Sequence, residues 1–167
     1  MLIIFAGLPG VGKSTISQRL AAELRAVYFR VDTVEQSLID YGVADIGGMG
    51  YSAGYAIARD NLRLGRIVVA DTVNPILVTR NAWRRAALDL DKPYVDVEVY
   101  CSDLAEHRRR VEERILDCPR RANLTWEDVI TREYEAWDLS PIRVDSALLS
   151  VEEAVQLILA ELRVQDR

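Results

Sequence analysis

Residues 7–14 read Gly-Leu-Pro-Gly-Val-Gly-Lys-Ser, and this stretch decides how the rest of the chain is interpreted. It directly follows the apolar run 2–6 and precedes a stripe of apolar residues at helical spacing. A turn with the spacing G-x-x-x-x-G-K-S between a strand and a helix is typical of a loop that wraps phosphate groups. The sequence therefore predicts a phosphate-binding loop (P-loop) that connects the first strand and the first helix of an α/β domain.

Each residue type in the loop has a role in binding a polyanion. The glycines allow backbone conformations that a Cβ atom would hinder, so that successive N–H groups converge on phosphate oxygens at a helix start. We expect the Lys13 ammonium to contact the β- and γ-phosphates and the Ser14 hydroxyl to bind Mg²⁺. The predicted contacts with ATP in this segment are Gly7, Leu8, Pro9, Gly10, Val11, Gly12, Lys13, Ser14 and Thr15.

Short apolar runs alternate with longer stretches of helical periodicity along the whole chain. This pattern predicts a parallel sheet with crossover helices. The predicted strands cover residues 2–6, 26–31, 67–70, 95–100 and 142–144. Thr125 with Asp128, and Ser150 with Glu153, form capping boxes that predict helices starting at 126 and 151. Glycines are concentrated in residues 42–54, which we interpret as a flexible connection near a binding cleft.

Length and composition limit the class of protein. A chain of 167 residues, of which 50% are apolar, predicts a single domain over 1–167. The net charge of -5 argues against a nucleic-acid partner. Two cysteines without metal-like spacing, and no apparent leader or membrane segment, favour a cytoplasmic protein. Nothing in the sequence indicates the oligomeric state.

Two aspartates directly follow predicted strands, at the edge of a parallel sheet where ligands bind. Asp32 is predicted to accept the proton of an acceptor hydroxyl or to hold that hydroxyl in line with the γ-phosphate. The alternative is that Asp32 only caps a helix that begins near Thr33. Asp71 is predicted to hold Mg²⁺ or its waters, and the alternative is a turn residue paired with Thr72 or Asn74.

An arginine-rich helix is predicted at residues 103–116. Arg110 and Arg114 are four residues apart and lie on one face, where they repel each other unless an anion stands between them. We predict that both act on the transferring phosphate of ATP. The alternative for the arginines of this helix is ordinary surface pairing with glutamates, and the single histidine, His107, is predicted at a solvated position.

With the P-loop, Asp32, Asp71 and the Arg110 and Arg114 arm in this order, the chain resembles small P-loop kinases. The groups it resembles are the chloramphenicol phosphotransferase and zeta-toxin-like kinases, gluconate and shikimate kinases, and the kinase domain of polynucleotide kinases. The resemblance implies a three-layer P-loop fold, with helices on both faces of a five-stranded parallel sheet in the order 2-3-1-4-5. It also implies that Asp32 is the acid that meets the acceptor hydroxyl.

The resemblance extends to three further places in the chain. It implies a small arginine-bearing lid at approximately 108–125. It implies that Asp71 and Asn74 form the motif after strand three. Segment 139–146 falls where such kinases contact adenine, so that Arg143 is expected to contact the nucleotide.

We therefore expect an ATP-dependent kinase that moves the γ-phosphate of ATP to a hydroxyl of a small molecule. One alternative is a nucleotide or polynucleotide 5'-end kinase, which needs basic contacts to the acceptor phosphate, such as Arg59, Arg63 and Arg66. An alternative from another class is a non-catalytic ATP-binding sensor. A GTPase is disfavoured because the sequence has no N-K-x-D motif. No motif in the sequence indicates which acceptor is used.

Overall fold

The computed structural model of the chain describes residues 1–113 and 124–165. Strands and helices alternate along it. The elements in chain order are β1 (Leu2–Ala6), α1 (Lys13–Leu24), β2 (Val27–Arg30), α2 (Val31–Asp40), α3 (Met49–Arg63), β3 (Val68–Asp71), α4 (Leu77–Leu88), β4 (Tyr94–Tyr100), α5 (Leu104–Glu113), α6 (Trp126–Ile130), β5 (Ile142–Asp145) and α7 (Val151–Gln165).

The strands form one five-stranded parallel sheet in the order β2-β3-β1-β4-β5. Strand β1 is central, and Ile4 pairs with Ala70 of β3 on one side and with Asp96 of β4 on the other. Every residue of β1 is buried, as expected of a parallel strand that is covered on both faces. The predicted strand order is confirmed, and the predicted bounds differ from the observed ones by no more than one residue at either end.

Alternate residues of β1 pack against helices on opposite faces of the sheet. Ile3 lies in a core with Leu20 of α1 and with residues of α7. Ile4 lies in a second core with Trp83 of α4 and with residues of α3. The Trp83 side chain has no exposed area and fills the centre of this second layer. The predicted three-layer arrangement is therefore confirmed.

Helix α3 corrects one prediction, because it begins at Met49, inside the segment 42–54 that was interpreted as a flexible connection. A Cβ atom on Gly50 would stand 2.5 Å from Glu35 Cγ, and one on Gly54 would stand 2.6 Å from Trp83 Cη2. These two glycines let α3 approach α2 and α4 closely. Within this part of the segment, the glycines allow close helix packing and do not indicate a flexible connection.

Both predicted capping boxes are present. The Asp128 N–H donates to the Thr125 hydroxyl while the Thr125 N–H donates to the Asp128 carboxylate. Ser150 and Glu153 exchange the same pair of hydrogen bonds. Helices α6 and α7 consequently begin at the predicted residues. Across the described ranges, no helix combines the length and apolar character that a membrane crossing requires.

Candidate active site

The loop between β1 and α1 is held tightly against the edge of the sheet. The Gly7 N–H donates a 3.1 Å hydrogen bond to the Val73 carbonyl, which ties the loop to the segment after β3. A Cβ atom on Gly7 would stand 2.2 Å from the Val99 carbonyl oxygen of β4. Only glycine fits this position, because neither backbone can withdraw from the other.

The start of α1 presents backbone N–H groups towards the open side of this loop. Gly12 is the N-cap of α1 and has a left-handed conformation, with φ 82°, and Gly10 has φ 86°. In residues 1–113 and 124–165, no backbone carbonyl accepts a turn or loop hydrogen bond from Gly10, Val11 or Gly12. Successive N–H groups at a helix start form a concave anion site. The geometry suits phosphate, and the contacts of residues 7–15 with a nucleotide stay a prediction.

Asp71 lies buried at the carboxyl end of β3. Its Oδ1 is 3.5 Å from Lys13 Nζ, and its Oδ2 accepts a 2.7 Å hydrogen bond from the Tyr28 hydroxyl. Burial favours a higher pKa for Asp71, but the Lys13 ammonium and hydrogen bonds from Ser14 and Tyr28 outweigh burial and lower that pKa. Asp71 is therefore an ionised carboxylate held by the P-loop lysine and by Tyr28, and it is not a turn residue paired with its neighbours.

Two residues of β2 support this carboxylate, and no motif in the sequence marks either of them. Burial and the charge of Asp71 raise the pKa of Tyr28, which keeps the phenol protonated as a donor. Arg30 ends β2, and its Nε is 3.9 Å from Asp71 Oδ2. The Nη2 atom of the same guanidinium is 3.8 Å from Asp32 Oδ2. Arg30 therefore links the carboxylate beside the P-loop with Asp32.

Asp32 lies in the first turn of α2, in the wall of a cleft. Helix α2 begins at Val31 with Arg30 as its N-cap, so the alternative that Asp32 caps a helix starting near Thr33 is wrong. The Asp32 side chain is 13% exposed. The cleft has a volume of about 460 Å³. Its lining residues are Val31, Asp32, Glu35, Tyr51, Val73, Pro75, Ile76, Thr79, Leu124, Asp128 and Arg132.

Tyr51 of α3 places a hydroxyl group in the lining of this cleft. The hydroxyl accepts a 2.7 Å hydrogen bond from Thr72 Oγ1 and a 3.1 Å hydrogen bond from the Asn74 N–H. Burial raises the pKa of Tyr51, so the phenol keeps its hydrogen at neutral pH. Because two donors occupy its oxygen, the hydroxyl hydrogen is left to donate to a further acceptor. Tyr51 is a fixed hydrogen-bond donor that the sequence did not reveal.

Helix α5 packs one face against the P-loop. His107 is only 4% exposed, and its Nε2 is 2.8 Å from the Pro9 carbonyl oxygen. Val111, one turn further, covers Gly10 so closely that a Cβ atom there would stand 2.4 Å from Val111 Cγ2. The prediction of a solvated His107 is therefore wrong, because α5 docks on the loop through this face.

Arg110 lies beside the same loop. Its Nε donates to Glu106 at 2.7 Å, and its Nη1 and Nη2 donate to the hydroxyl and carbonyl oxygens of Ser146 at 3.0 and 3.2 Å. Nη1 is 3.8 Å from the position that a Cβ atom on Gly12 would occupy. The structure thus brings Arg110 to the P-loop, and its contact with a phosphate stays a prediction.

This geometry is accompanied by a match to a known family. A family model described as an AAA domain matches residues 2–131. The chain belongs to this family. The match and the strand order β2-β3-β1-β4-β5 confirm the P-loop fold and the resemblance to small P-loop kinases.

Two relatives and two solved structures match nearly the whole chain. A probable adenylyl-sulfate kinase of Aeropyrum pernix is 27% identical, in an alignment that spans 95% of this chain and 90% of the kinase. A cytidylate kinase of Ignicoccus hospitalis is 24% identical, in an alignment that spans 94% of this chain and 96% of that kinase. Chaetomium thermophilum Kti12, in complex with ADP-AlF3, has a TM-score of 0.73 at 22% identity and covers 98% of both chains. Mycobacterium tuberculosis APS kinase CysC, in complex with AMPPNP and APS, has a TM-score of 0.69 at 17% identity, over 97% of this chain and 96% of its own. At these identities, the similarity to the two solved structures establishes only that this chain shares their fold.

The remaining arginines of α5 make ordinary surface pairs in this AAA domain. Arg108 pairs with Glu112, and Arg109 pairs with Glu106 and Glu113. The surface alternative is confirmed for these two arginines. Arg114 lies outside the described residues, as does segment 114–123 of the predicted lid 108–125. The roles of Arg114 and of the lid therefore stay predictions.

Arg143 lies within β5, before the loop that follows the strand. Its Nε donates a 2.9 Å hydrogen bond to Glu98 of β4, and its guanidinium lies 4.5 Å from the centre of the Tyr100 ring. Ser146, which contacts Arg110, follows the strand. The structure thus gives Arg143 an ion pair across β4 and β5, and its contact with adenine stays a prediction.

The turn after β3 is held by Arg80 of α4, a residue that no sequence motif marks. Arg80 has no exposed area, and its guanidinium donates to the carbonyl oxygens of Asn74, Pro75, Glu135 and Ala136. Asn74 has φ 48° and is fully buried, and its side-chain amide has no hydrogen-bond partner among the described residues. The sequence does not distinguish Arg80 from the other arginines of α4, so its burial and its contacts could not be predicted from a local pattern.

Proposed function

We propose that this protein is an ATP-dependent phosphotransferase that moves the γ-phosphate of ATP to a hydroxyl of a small molecule bound in the cleft beside Asp32. One observation carries the proposal: the Arg30 guanidinium lies within 4 Å of both Asp71, the partner of the P-loop lysine, and Asp32, in the cleft wall. The P-loop and the cleft are therefore adjacent. Phosphoryl transfer requires the acceptor site to lie next to the phosphate site, because the acceptor oxygen attacks in line with the bond that breaks.

Each charged residue of the site has a distinct task in this proposal. Asp32 accepts the proton of the acceptor hydroxyl as its oxygen bonds to the γ-phosphorus and the bond to the ADP oxygen breaks. Lys13 and Arg110 carry positive charge next to the loop amides and stabilise the negative charge on the phosphate oxygens. Tyr51 donates to an oxygen of the acceptor and fixes its orientation in the cleft.

Ser14 and Asp71 fit a magnesium ion. The Ser14 hydroxyl is close enough to the Asp71 carboxylate to lower its pKa, so two hard oxygen ligands lie near each other at the start of α1. Oxygen atoms of this kind are the ligands that Mg²⁺ takes in proteins, usually few at a time. Bound with ATP, the ion supplies positive charge to the phosphate oxygens.

The names of the two relatives favour a second candidate, a kinase whose acceptor is a nucleotide. An anionic acceptor needs basic side chains around it. Arg63 and Arg66 do not meet this need, because Arg63 ends α3 and Arg66 precedes β3. Both therefore lie near the amino ends of the strands, whereas the P-loop lies at their carboxyl ends. The supposed contribution of these two arginines to an acceptor site is therefore unsupported.

The charges that line the cleft also argue against a phosphorylated acceptor. Within the described lining, Arg132 is the single basic residue. The acidic residues of that lining are Asp32, Glu35 and Asp128. A phosphorylated acceptor meets net repulsion from these groups, while a neutral or cationic hydroxyl compound does not. We therefore favour an acceptor without a phosphate group.

Incubation of the protein with ATP labelled at the γ-phosphate tests these candidates. The acceptor panel contains sugars, amino sugars, nucleosides and the small-molecule fraction of a cell extract, with adenylyl sulfate and CMP as nucleotide acceptors. We expect label on a compound that carries no phosphate beforehand, and no label with Asp32→Asn. Label on nucleotides alone supports the second candidate, and tight ATP binding without transfer to any acceptor supports a sensor and contradicts the proposal.

A further inference from the structure

His107 makes a contact with the P-loop that the proposed mechanism does not use. Its Nε2 is 2.8 Å from the carbonyl oxygen of Pro9, and the two residues are 98 positions apart in the chain. The edge of its ring meets the Trp126 ring, with 5.0 Å between the ring centres and 87° between the planes. Because a carbonyl oxygen only accepts hydrogen bonds, Nε2 carries the hydrogen.

This hydrogen bond fixes the plane of the peptide between Pro9 and Gly10. The described chain contains no cis peptide bond, and in a trans peptide the C=O and the following N–H point in opposite directions. A Pro9 carbonyl held towards α5 therefore turns the Gly10 N–H away from α5. Gly10 has φ 86°, and because it has no Cβ atom its own side chain does not restrict the rotation of this peptide.

The Gly10 N–H belongs to the set of loop amides that find no backbone acceptor within the described ranges. Such amides bind an anion well only when they already point at it, because reorientation on binding lowers affinity. A hydrogen-bond donor on α5 provides this orientation by holding the Pro9 carbonyl. No other described side chain donates a hydrogen bond to the Pro9 carbonyl.

We propose that His107 is a positioning residue of the P-loop: by holding the Pro9 carbonyl, it aims the Gly10 N–H at the phosphate groups of the nucleotide. The inference rests on the proposed binding of ATP. It also gives α5 a second task beside the delivery of Arg110. His107 and Arg110 are three residues apart on one face of α5, so the helix orients a loop amide and presents a cation in a single docking contact.

A simple packing role for His107 is the competing explanation, since the residue also fills space between Trp126 and Gly10. Two substitutions separate the explanations. His107→Gln keeps an N–H donor on a flexible chain, and His107→Met has similar length without the donor. Trp126→Leu is the packing control, because it removes the ring against His107 and leaves the donor in place.

The experiment is calorimetric titration of Mg²⁺ with AMP-PNP, a non-hydrolysable ATP analogue, into the wild type and the three variants. We expect His107→Met to weaken affinity about tenfold, the scale of one lost hydrogen bond. We expect His107→Gln to stay within about threefold of the wild type, and Trp126→Leu to lower the melting temperature of the ligand-free protein without a matching loss of affinity.

Three results overturn the inference: wild-type affinity in His107→Met, an equal loss in His107→Gln and His107→Met, or an equal loss in Trp126→Leu and His107→Met. If His107→Met does not fold, His107→Gln and Trp126→Leu still decide, because a tenfold loss in either contradicts the inference and wild-type affinity in both supports it. A wild type that does not bind the analogue refutes the proposed function itself, which keeps the two failures apart.

Discussion

The Tyr28 hydroxyl donates a 2.7 Å hydrogen bond to Asp71 Oδ2 and joins β2 to β3 at the edge where the P-loop lies. The other oxygen of the same carboxylate is 3.5 Å from Lys13 Nζ. Both oxygens of Asp71 are therefore engaged within the protein before any ligand binds. A site arranged in this way needs little rearrangement when charge develops on a transferring phosphate.

Replacement of Asp71 by Asn tests the charge of this carboxylate through acid stability. The folded protein lowers the pKa of Asp71, so the unfolded chain takes up the proton first as the pH falls. The stabilisation is fully present at neutral pH, begins to decline near the ordinary carboxyl pKa of about 3.9, and is lost as the pH falls through the lower pKa of the folded protein. Asp71→Asn is expected to be less stable than the wild type by roughly 3 kcal/mol at pH 7, because it leaves Lys13 without its charged partner.

Urea unfolding of both proteins between pH 3 and pH 7 measures this difference. The difference between the two curves is expected to narrow as the pH falls below about 4. A difference that stays constant or grows in acid contradicts an ionised Asp71.

Replacement of Asp32 by Asn is expected to lower turnover by about 100-fold or more, because a positioned general base commonly contributes 10²–10⁴ in rate. ATP affinity should change little, since Asp32 meets the acceptor and not the nucleotide. Asp40→Asn, at the other end of α2, is the matched control and should behave as the wild type. Steady-state kinetics and calorimetry measure the two quantities, and an equal loss in turnover and ATP affinity contradicts the role of Asp32.

Replacement of Tyr51 by Phe removes the fixed donor from the cleft. We expect KM for the acceptor to rise about tenfold with KM for ATP unchanged, as one hydrogen bond to the acceptor is lost. Stability should fall by about 1 kcal/mol, because Thr72 and the Asn74 N–H lose their acceptor. Tyr55→Phe, one turn along α3, is the control, since Tyr55 packs edge-on against Trp83. A rise in KM for ATP instead of the acceptor refutes the assignment.

Replacement of Gly10 by Ala tests the fit between α5 and the P-loop. Gly10 has φ 86° and Gly42 has φ 97°, so alanine at either position costs about 1 kcal/mol in backbone strain. A Cβ atom on Gly42 meets no atom within 4 Å, while one on Gly10 stands 2.4 Å from Val111 Cγ2. Gly10→Ala should therefore lower the melting temperature more than Gly42→Ala and should alone weaken ATP binding. Similar losses in both variants contradict close docking of α5.

Features that depend on a local pattern could be predicted from the sequence. The P-loop spacing fixes the order strand, turn and helix within nine residues, and the capping boxes at Thr125 and Ser150 act over three residues. Asp71 follows an apolar run, and a parallel sheet brings the ends of its strands to one edge. The placement of Asp71 and Arg110 at the P-loop follows from these rules together with the resemblance to small kinases.

Features that depend on which surfaces meet could not be predicted in this way. His107 looks like a surface residue among charged neighbours, and its burial becomes visible only when α5 docks on Pro9. Arg30 and Arg80 act through partners on other elements, which no local spacing encodes. Gly54 lies in a helix that passes close to Trp83, a use of glycine that the sequence does not distinguish from a loop.

The binding of ATP at the P-loop is tested most directly by titrating magnesium-loaded ATP into the wild type and into Lys13→Met in a calorimeter. Lys13 is the ammonium group of the loop, and a hydrogen bond to a charged group contributes about 1.5–3 kcal/mol to binding, or roughly 10- to 100-fold in affinity. We expect one binding site per chain in the wild type and an affinity lower by roughly 10- to 100-fold in the variant. Absence of binding heat from the wild type, or equal affinity in the two proteins, contradicts it.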